Sequence, residues 1–172
     1  MRGYKIPYLE NLAATNDQFE CIDLTENDIA RLEELPKLTR LETLLLANNK
    51  IAAIEADFAE MCPKLDSLIL TNNRLSELSD IDMLATCQGL TRVSLVGNLV
   101  CNLPNYRLYT INKLPALKVL DFQMVTRQER DMASKLFDKS SDVEMMAVGG
   151  MTQMTDKAVV AREEPLVAAA TQ

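Results

Sequence analysis

Four cysteines, Cys21, Cys62, Cys87 and Cys101, are the side chains best suited to binding a metal or to thiol chemistry. Their spacing contains no C-x-x-C pair and resembles no metal-ligand pattern, so buried, reduced thiols are expected, with Cys21 alone facing outward. The chain has no histidine, which excludes Ser-His-Asp and Cys-His nucleophiles and histidine-bound metals. The acidic pairs Glu33-Glu34 and Glu163-Glu164 offer general acid-base groups, but nothing around them implies a pocket, so they read as solvated charge. None of the five glycines forms a G-x-G or G-K-S/T phosphate loop. Taken together these features predict no enzyme, no metal, no cofactor and no small-molecule substrate.

One polar residue does recur at fixed spacing. Asn27, Asn49, Asn73 and Asn98 each close a copy of the pattern L-x-x-L-x-L-x-x-N-x-L. The copies run Phe19, Ile22, Leu24, Asn27, Ile29; Leu41, Leu44, Leu46, Asn49, Ile51; Leu65, Leu68, Leu70, Asn73, Leu75; and Leu90, Val93, Leu95, Asn98, Val100. A fifth, Leu117, Leu120, Phe122, Val125, lacks the asparagine. An asparagine at a strand-to-turn junction has the amide geometry to satisfy backbone groups of adjacent loops, so these four are expected to be structural.

The elements that must hold such a pattern are those of a leucine-rich repeat solenoid of the α/β class. Leucine supplies 26 of the 172 residues, and apolar residues two apart put both side chains on one face of a short strand. Parallel strands are expected to line the concave face. Return segments, such as Ile29, Leu32, Leu35, Leu38 and Leu41, repeat about every three residues and predict 3-10 or helical turns on the convex face. A short helix is expected at 80–85 and a C-terminal cap helix over 126–137. The domain boundaries that follow are a repeat domain over 1–137, its cap over about 98–137, and a disordered tail over 138–172, where the pattern ends and four of the nine methionines lie.

The net charge of −7 opposes a broad phosphate-binding face, and no stretch approaches the ~20 apolar residues of a membrane span. The chain is therefore read as soluble, nuclear or cytosolic. The outward strand positions form the candidate binding surface: Asp23, Thr25 and Glu26; Thr43, Leu45 and Ala47; Ser67, Ile69 and Thr71; Arg92, Ser94 and Val96; then Asp121. Leu45, Ile69 and Val96 would form an apolar stripe with charged rims, suited to a partner helix carrying basic residues.

The segments RGYKIPYLENL (2–12), DQFECIDLTENDI (17–29), LILTNNRLSEL (68–78) and YRLYTINKLPALKVLDFQMV (106–125) resemble the A-prime family of the spliceosomal U2 small nuclear ribonucleoprotein. The resemblance implies a nuclear adaptor whose concave face cradles a helix of an RRM protein of the B-double-prime type, with U2 small nuclear RNA bound mainly through that partner. It implies RNA backbone contact near the cap helix, where Arg127, Arg130 and Lys135 lie. Two features depart from the family: RGYKIP follows no strand here, and the basic stretch after the cap reads DKSSDVEMM. A phosphatase-1 regulator-like or dynein light chain-like scaffold would share the repeat and the cap.

Overall fold

A short β-strand opens each coil of the solenoid, and in the computed structural model these strands stack in parallel in chain order. The structure describes residues 1–9, 12 and 16–137. Strands β1 (Cys21–Asp23), β3 (Thr43–Leu45), β5 (Ser67–Ile69), β6 (Arg92–Ser94) and β7 (Val119–Leu120) pair in that order, and β8 (Gln123–Met124) closes the sheet antiparallel to β7. Register places Ile22, Leu44, Leu68, Val93 and Leu120 in one row, all buried. Leu24, Leu46, Leu70 and Leu95 are buried two residues further along each coil. One coil could not shield either row alone, so burial comes from neighbouring coils.

The return path changes along the solenoid. In the first two coils it is extended: β2 (Arg31–Leu32) and β4 (Ala53–Ile54) form a second, parallel two-stranded sheet where 3-10 or helical turns were expected. The β-branched Ile54 favours extension. The second coil adds a short helix, α1 (Phe58–Met61), after β4, and later coils are longer and helical, with α2 (Ser79–Leu84), a 3-10 turn at Leu99–Asn102 and α3 (Tyr106–Lys113). Helix α2 starts one residue before its predicted position, and the Asp80 carboxylate accepts the Ser76 and Glu77 N–H groups at 3.0 Å each.

The final helix, α4 (127–137), follows Thr126, whose hydroxyl accepts the Glu129 N–H at 3.2 Å while the Glu129 carboxylate accepts the Thr126 N–H at 2.8 Å. This reciprocal capping box ends the extended segment and starts the helix. Two apolar positions of the repeat pattern are not in the core. Phe19 is 51% exposed, ahead of the edge strand β1, and Phe122 is 71% exposed. Phe122 and Asp121 adopt positive φ (63° and 52°) to reverse the chain into β8, which turns the Phe122 side chain out. The expected tail at 138–172 lies outside the described residues.

Candidate functional site

Each strand passes into a tight left-handed turn at Glu26, Asn48, Asn72 and Gly97, with φ of 61°, 57°, 55° and 78°. Asparagine tolerates this conformation and glycine adopts it freely. At Gly97 a Cβ would lie 2.1 Å from the Asn72 Oδ1, so any side chain there would have to displace Asn72. The following asparagine in each turn points inward. Asn73 Nδ2 donates to the Leu46 and Leu70 carbonyls at 2.9 Å, and its Oδ1 accepts the Ile51 N–H at 3.0 Å. Asn49 and Asn98 repeat the arrangement with Leu24, Leu46 and Ile29, and with Leu70, Leu95 and Leu75. Asn27 does the same for the first coil, donating to Leu24 and Met1 and accepting from Tyr4 and Ile6. Residues 1–6 therefore lie against the turn of the first coil, with Gly3 N–H donating to the Thr25 carbonyl.

These turns set the strands so that two rows face the concave side. One row reads Cys21, Thr43, Ser67, Arg92, Val119, and the other Asp23, Leu45, Ile69, Ser94. Leu45 and Ile69 are direct neighbours, each half-buried with a face open to solvent. Thr25, Ala47 and Thr71 are half-buried at the strand ends, and Val96 is 41% exposed. Asp23 flanks Leu45 in register and accepts the Thr25 N–H at 2.9 Å, and this bonding holds its carboxyl below the usual range.

Three residues expected on this face are placed otherwise. Ser67 and Ser94 are buried, at 7% and 1% exposure. Arg92, in register with Ser67, reaches back to Asp66 at 2.7 Å and so crosses in front of the serine. The Ser94 hydroxyl is bonded to Thr71 Oγ1 at 2.9 Å. Asp121 is a closing group instead of a rim charge: its carboxylate accepts the Leu95 N–H at 2.7 Å and the Tyr106 hydroxyl at 2.9 Å. It thus does for the fifth coil part of what an asparagine does in the others. Burial and the nearby Asp121 charge push the Tyr106 phenol up, so it stays a donor. Glu26 is exposed and paired with Arg2 at 2.7 Å.

Of the candidate basic residues on the cap helix, Arg127 and Lys135 are exposed, while the Arg130 guanidinium donates to the Leu117 carbonyl and ties the helix to the last coil. A more buried clasp lies beside it. Arg107 on α3 pairs with Glu129 at 2.7 Å and donates to the Leu120 carbonyl at 3.1 Å. Arg107 and the Thr126 N–H hold the Glu129 carboxyl down at about 2. Tyr109 donates to Asp82 at 2.7 Å and stands edge-on to Phe137, with ring centroids 5.4 Å apart.

The cysteines form no site. Cys62 and Cys87 are buried, and burial pushes their thiols up to about 12 and about 11. Cys101 is half-buried and donates to the Leu95 carbonyl at 2.9 Å, while Cys21 is exposed. Among the described residues no three His, Cys, Asp or Glu side chains converge to hold a metal, and no helix is long and apolar enough to cross a membrane.

The leucine-rich repeat family matches residues 1–148. The chain is 38% identical over 168 residues to the U2 small nuclear ribonucleoprotein A' of Schizosaccharomyces pombe, covering 96% of this chain and 70% of that protein. It belongs to the U2 small nuclear ribonucleoprotein A' family of leucine-rich repeat proteins. The human member of this family is 50% identical over 137 residues, 80% of this chain and 54% of that protein. The chain thus spans little more than half the length of several relatives it matches. In structure it is similar to a chain of the Drosophila melanogaster SNF/U2A' complex, with a TM-score of 0.79, 46% identity and 85% of each chain covered.

Proposed function

We propose that this chain is a non-enzymatic adaptor of the U2 small nuclear ribonucleoprotein, acting in pre-mRNA splicing in the nucleus. Its concave face receives a helix of an RRM protein of the B-double-prime type, and U2 small nuclear RNA is reached mainly through that partner. The observation that carries this reading is the pair Leu45 and Ile69, neighbours in register and half-open to solvent at the centre of the sheet. Apolar groups flanked by polar ones mark a surface that another protein covers, and a helix lays its apolar stripe into such a trough. The similarity to a chain solved in complex with SNF supports the same reading.

The rest of the face contributes complementarity: Thr25, Thr43, Ala47 and Thr71 line the trough, with Asp23, Glu26 and Arg92 at its edges and Val96 beyond Ile69. An RRM binds single-stranded bases on its sheet, so a clamp on the helical side leaves that sheet free. Direct RNA contact by this chain is confined to phosphates near the exposed Arg127 and Lys135, because the net charge of −7 opposes more extensive binding.

The experiment is capture of SNF and U2 RNA by the wild-type chain and by the Leu45→Arg plus Ile69→Arg variant, with circular dichroism to confirm that the variant folds. Wild type is expected to capture both and the folded variant neither. Equal capture by the two forms refutes the trough. Failure of both to bind refutes the partner.

A further inference from the structure

The residue just before each strand is stacked on its counterpart in the next coil. The Glu20 carbonyl accepts the Glu42 and Thr43 N–H groups, Glu42 accepts Asp66 and Ser67, Asp66 accepts Thr91 and Arg92, and Thr91 accepts Lys118 and Val119. Glu20, Glu42, Asp66, Thr91 and Lys118 therefore run as one ladder along the strand-start rim of the concave face. Their charges are neutralised unevenly. Arg40 reaches back to Glu20 at 3.0 Å and Arg92 to Asp66 at 2.7 Å. Lys64 occupies in its coil the place that Arg40 has in its own, yet it makes no ion pair with Glu42. Among the described residues Glu42 and Lys118 are exposed and neither has an ion pair. Lys118 lies near enough to Asp66 to help Thr91 and Arg92 hold that carboxyl down, which leaves Arg92, Lys118 and Asp66 with one positive charge in excess. At the other end Arg40 neutralises Glu20, and Glu42 carries a negative charge that no ion pair fixes.

We propose that this rim sets the direction in which a partner helix lies in the trough. Glu42 receives a basic side chain near one end of the helix, and Lys118 receives an acidic one near the other. Glu42 and Lys118 are three coil steps apart, about 14 Å at the usual strand spacing. At 1.5 Å per residue that span is about ten residues of helix, and charges about eleven residues apart, three turns, share the face that also buries against Leu45 and Ile69 and reach both rim residues with their long side chains. A helix laid in the opposite direction sets like charges together at both ends, and such a juxtaposition rejects wrong partners and wrong orientations.

The proposal rests on the trough reading, and the test separates the two. Affinity for SNF is measured for the intact chain as wild type, Glu42→Gln, Lys118→Gln, Glu20→Gln plus Arg40→Gln, the reversed pair Glu42→Lys with Lys118→Glu, and the Leu45→Arg plus Ile69→Arg variant. Glu42→Gln and Lys118→Gln are each expected to weaken binding about 2–5-fold at low salt, with the difference fading as the Debye length shortens toward 3 Å near 1 M. Removing the whole pair with Glu20→Gln plus Arg40→Gln leaves the charge at that end unchanged, so this variant is expected to bind like wild type. The reversed pair should bind more weakly than either single neutral variant. If the neutral and reversed variants bind like wild type while the Leu45→Arg plus Ile69→Arg variant does not bind, the directional role is overturned and the trough stands. If that last variant also binds, or wild type does not, both fall.

Discussion

Replacing Asn73 with alanine removes a side chain that serves three backbone groups in two coils. The Leu46 and Leu70 carbonyls each lose one Nδ2 donor at 2.9 Å but keep those of Asn49 and Asn98, while the Ile51 N–H loses its Oδ1 acceptor at 3.0 Å. The residue is only 7% exposed, so water reaches these groups poorly. The unpaired buried N–H costs about 1–3 kcal/mol and each bond lost at a carbonyl that keeps another donor about 0.5 kcal/mol, so the change costs about 2–4 kcal/mol. That is a large share of the roughly 5–15 kcal/mol of a typical domain. With a urea m-value of about 1.5–2 kcal/mol per M, the midpoint of unfolding falls by about 1–2.5 M. The neighbouring residue supplies the control. Asn72 is exposed, its Nδ2 donates only to Asn48 Oδ1 at 2.8 Å, and its φ of 55° suits glycine, so Asn72→Gly is expected to shift the midpoint by less than about 0.3 M. Urea titration followed by circular dichroism on the intact chain compares the two. A midpoint for Asn73→Ala within 0.3 M of wild type would refute the structural role argued for the asparagine ladder.

Two further outcomes follow from the turns and the cap. Glu129 is held at about 2, against an ordinary value of 4.5, first by Arg107 and then by Thr126. Because the folded value is the lower one, its contribution is fully present above pH ~4.5 and is lost as pH falls toward about 2. Protection factors of the amides of 127–137, taken relative to intrinsic exchange at each pH, should fall over that window, and Arg107→Met should flatten the acid dependence; an unchanged profile in the variant would argue against the clasp. Gly97→Ala meets both a φ of 78° and the Asn72 Oδ1, so it should destabilise by about 1–2 kcal/mol and lower the Tm by roughly 5 °C, with partial recovery on adding Asn72→Gly. Thermal melts of the single and double variants check this, and a Tm equal to that of wild type would show that the turn relaxes without cost.

The solenoid is legible in the sequence because its core obeys two short periods at once. Alternation places Leu44 and Leu46 inside and Leu45 outside, and the 22–25-residue return places Leu68 and Leu70 beside them. What parity does not carry is the reach of neighbouring side chains. Ser67 and Ser94 have outward parity yet are buried, because a serine is short enough for Arg92 to pass over one and Thr71 to hold the other. Asp121, Arg107 and Glu129 find their partners 13 to 26 residues away, at separations fixed by how the cap folds back and not by any local pattern. Both kinds of miss bear on function in the same direction. Once the two serines and Asp121 are withdrawn from the concave surface, its apolar centre narrows to Leu45 and Ile69, with Val96 to one side. Two half-buried aliphatic side chains can anchor a helix, but an apolar pair is nearly indifferent to which way the helix points. Choosing a direction then falls to the charged rim.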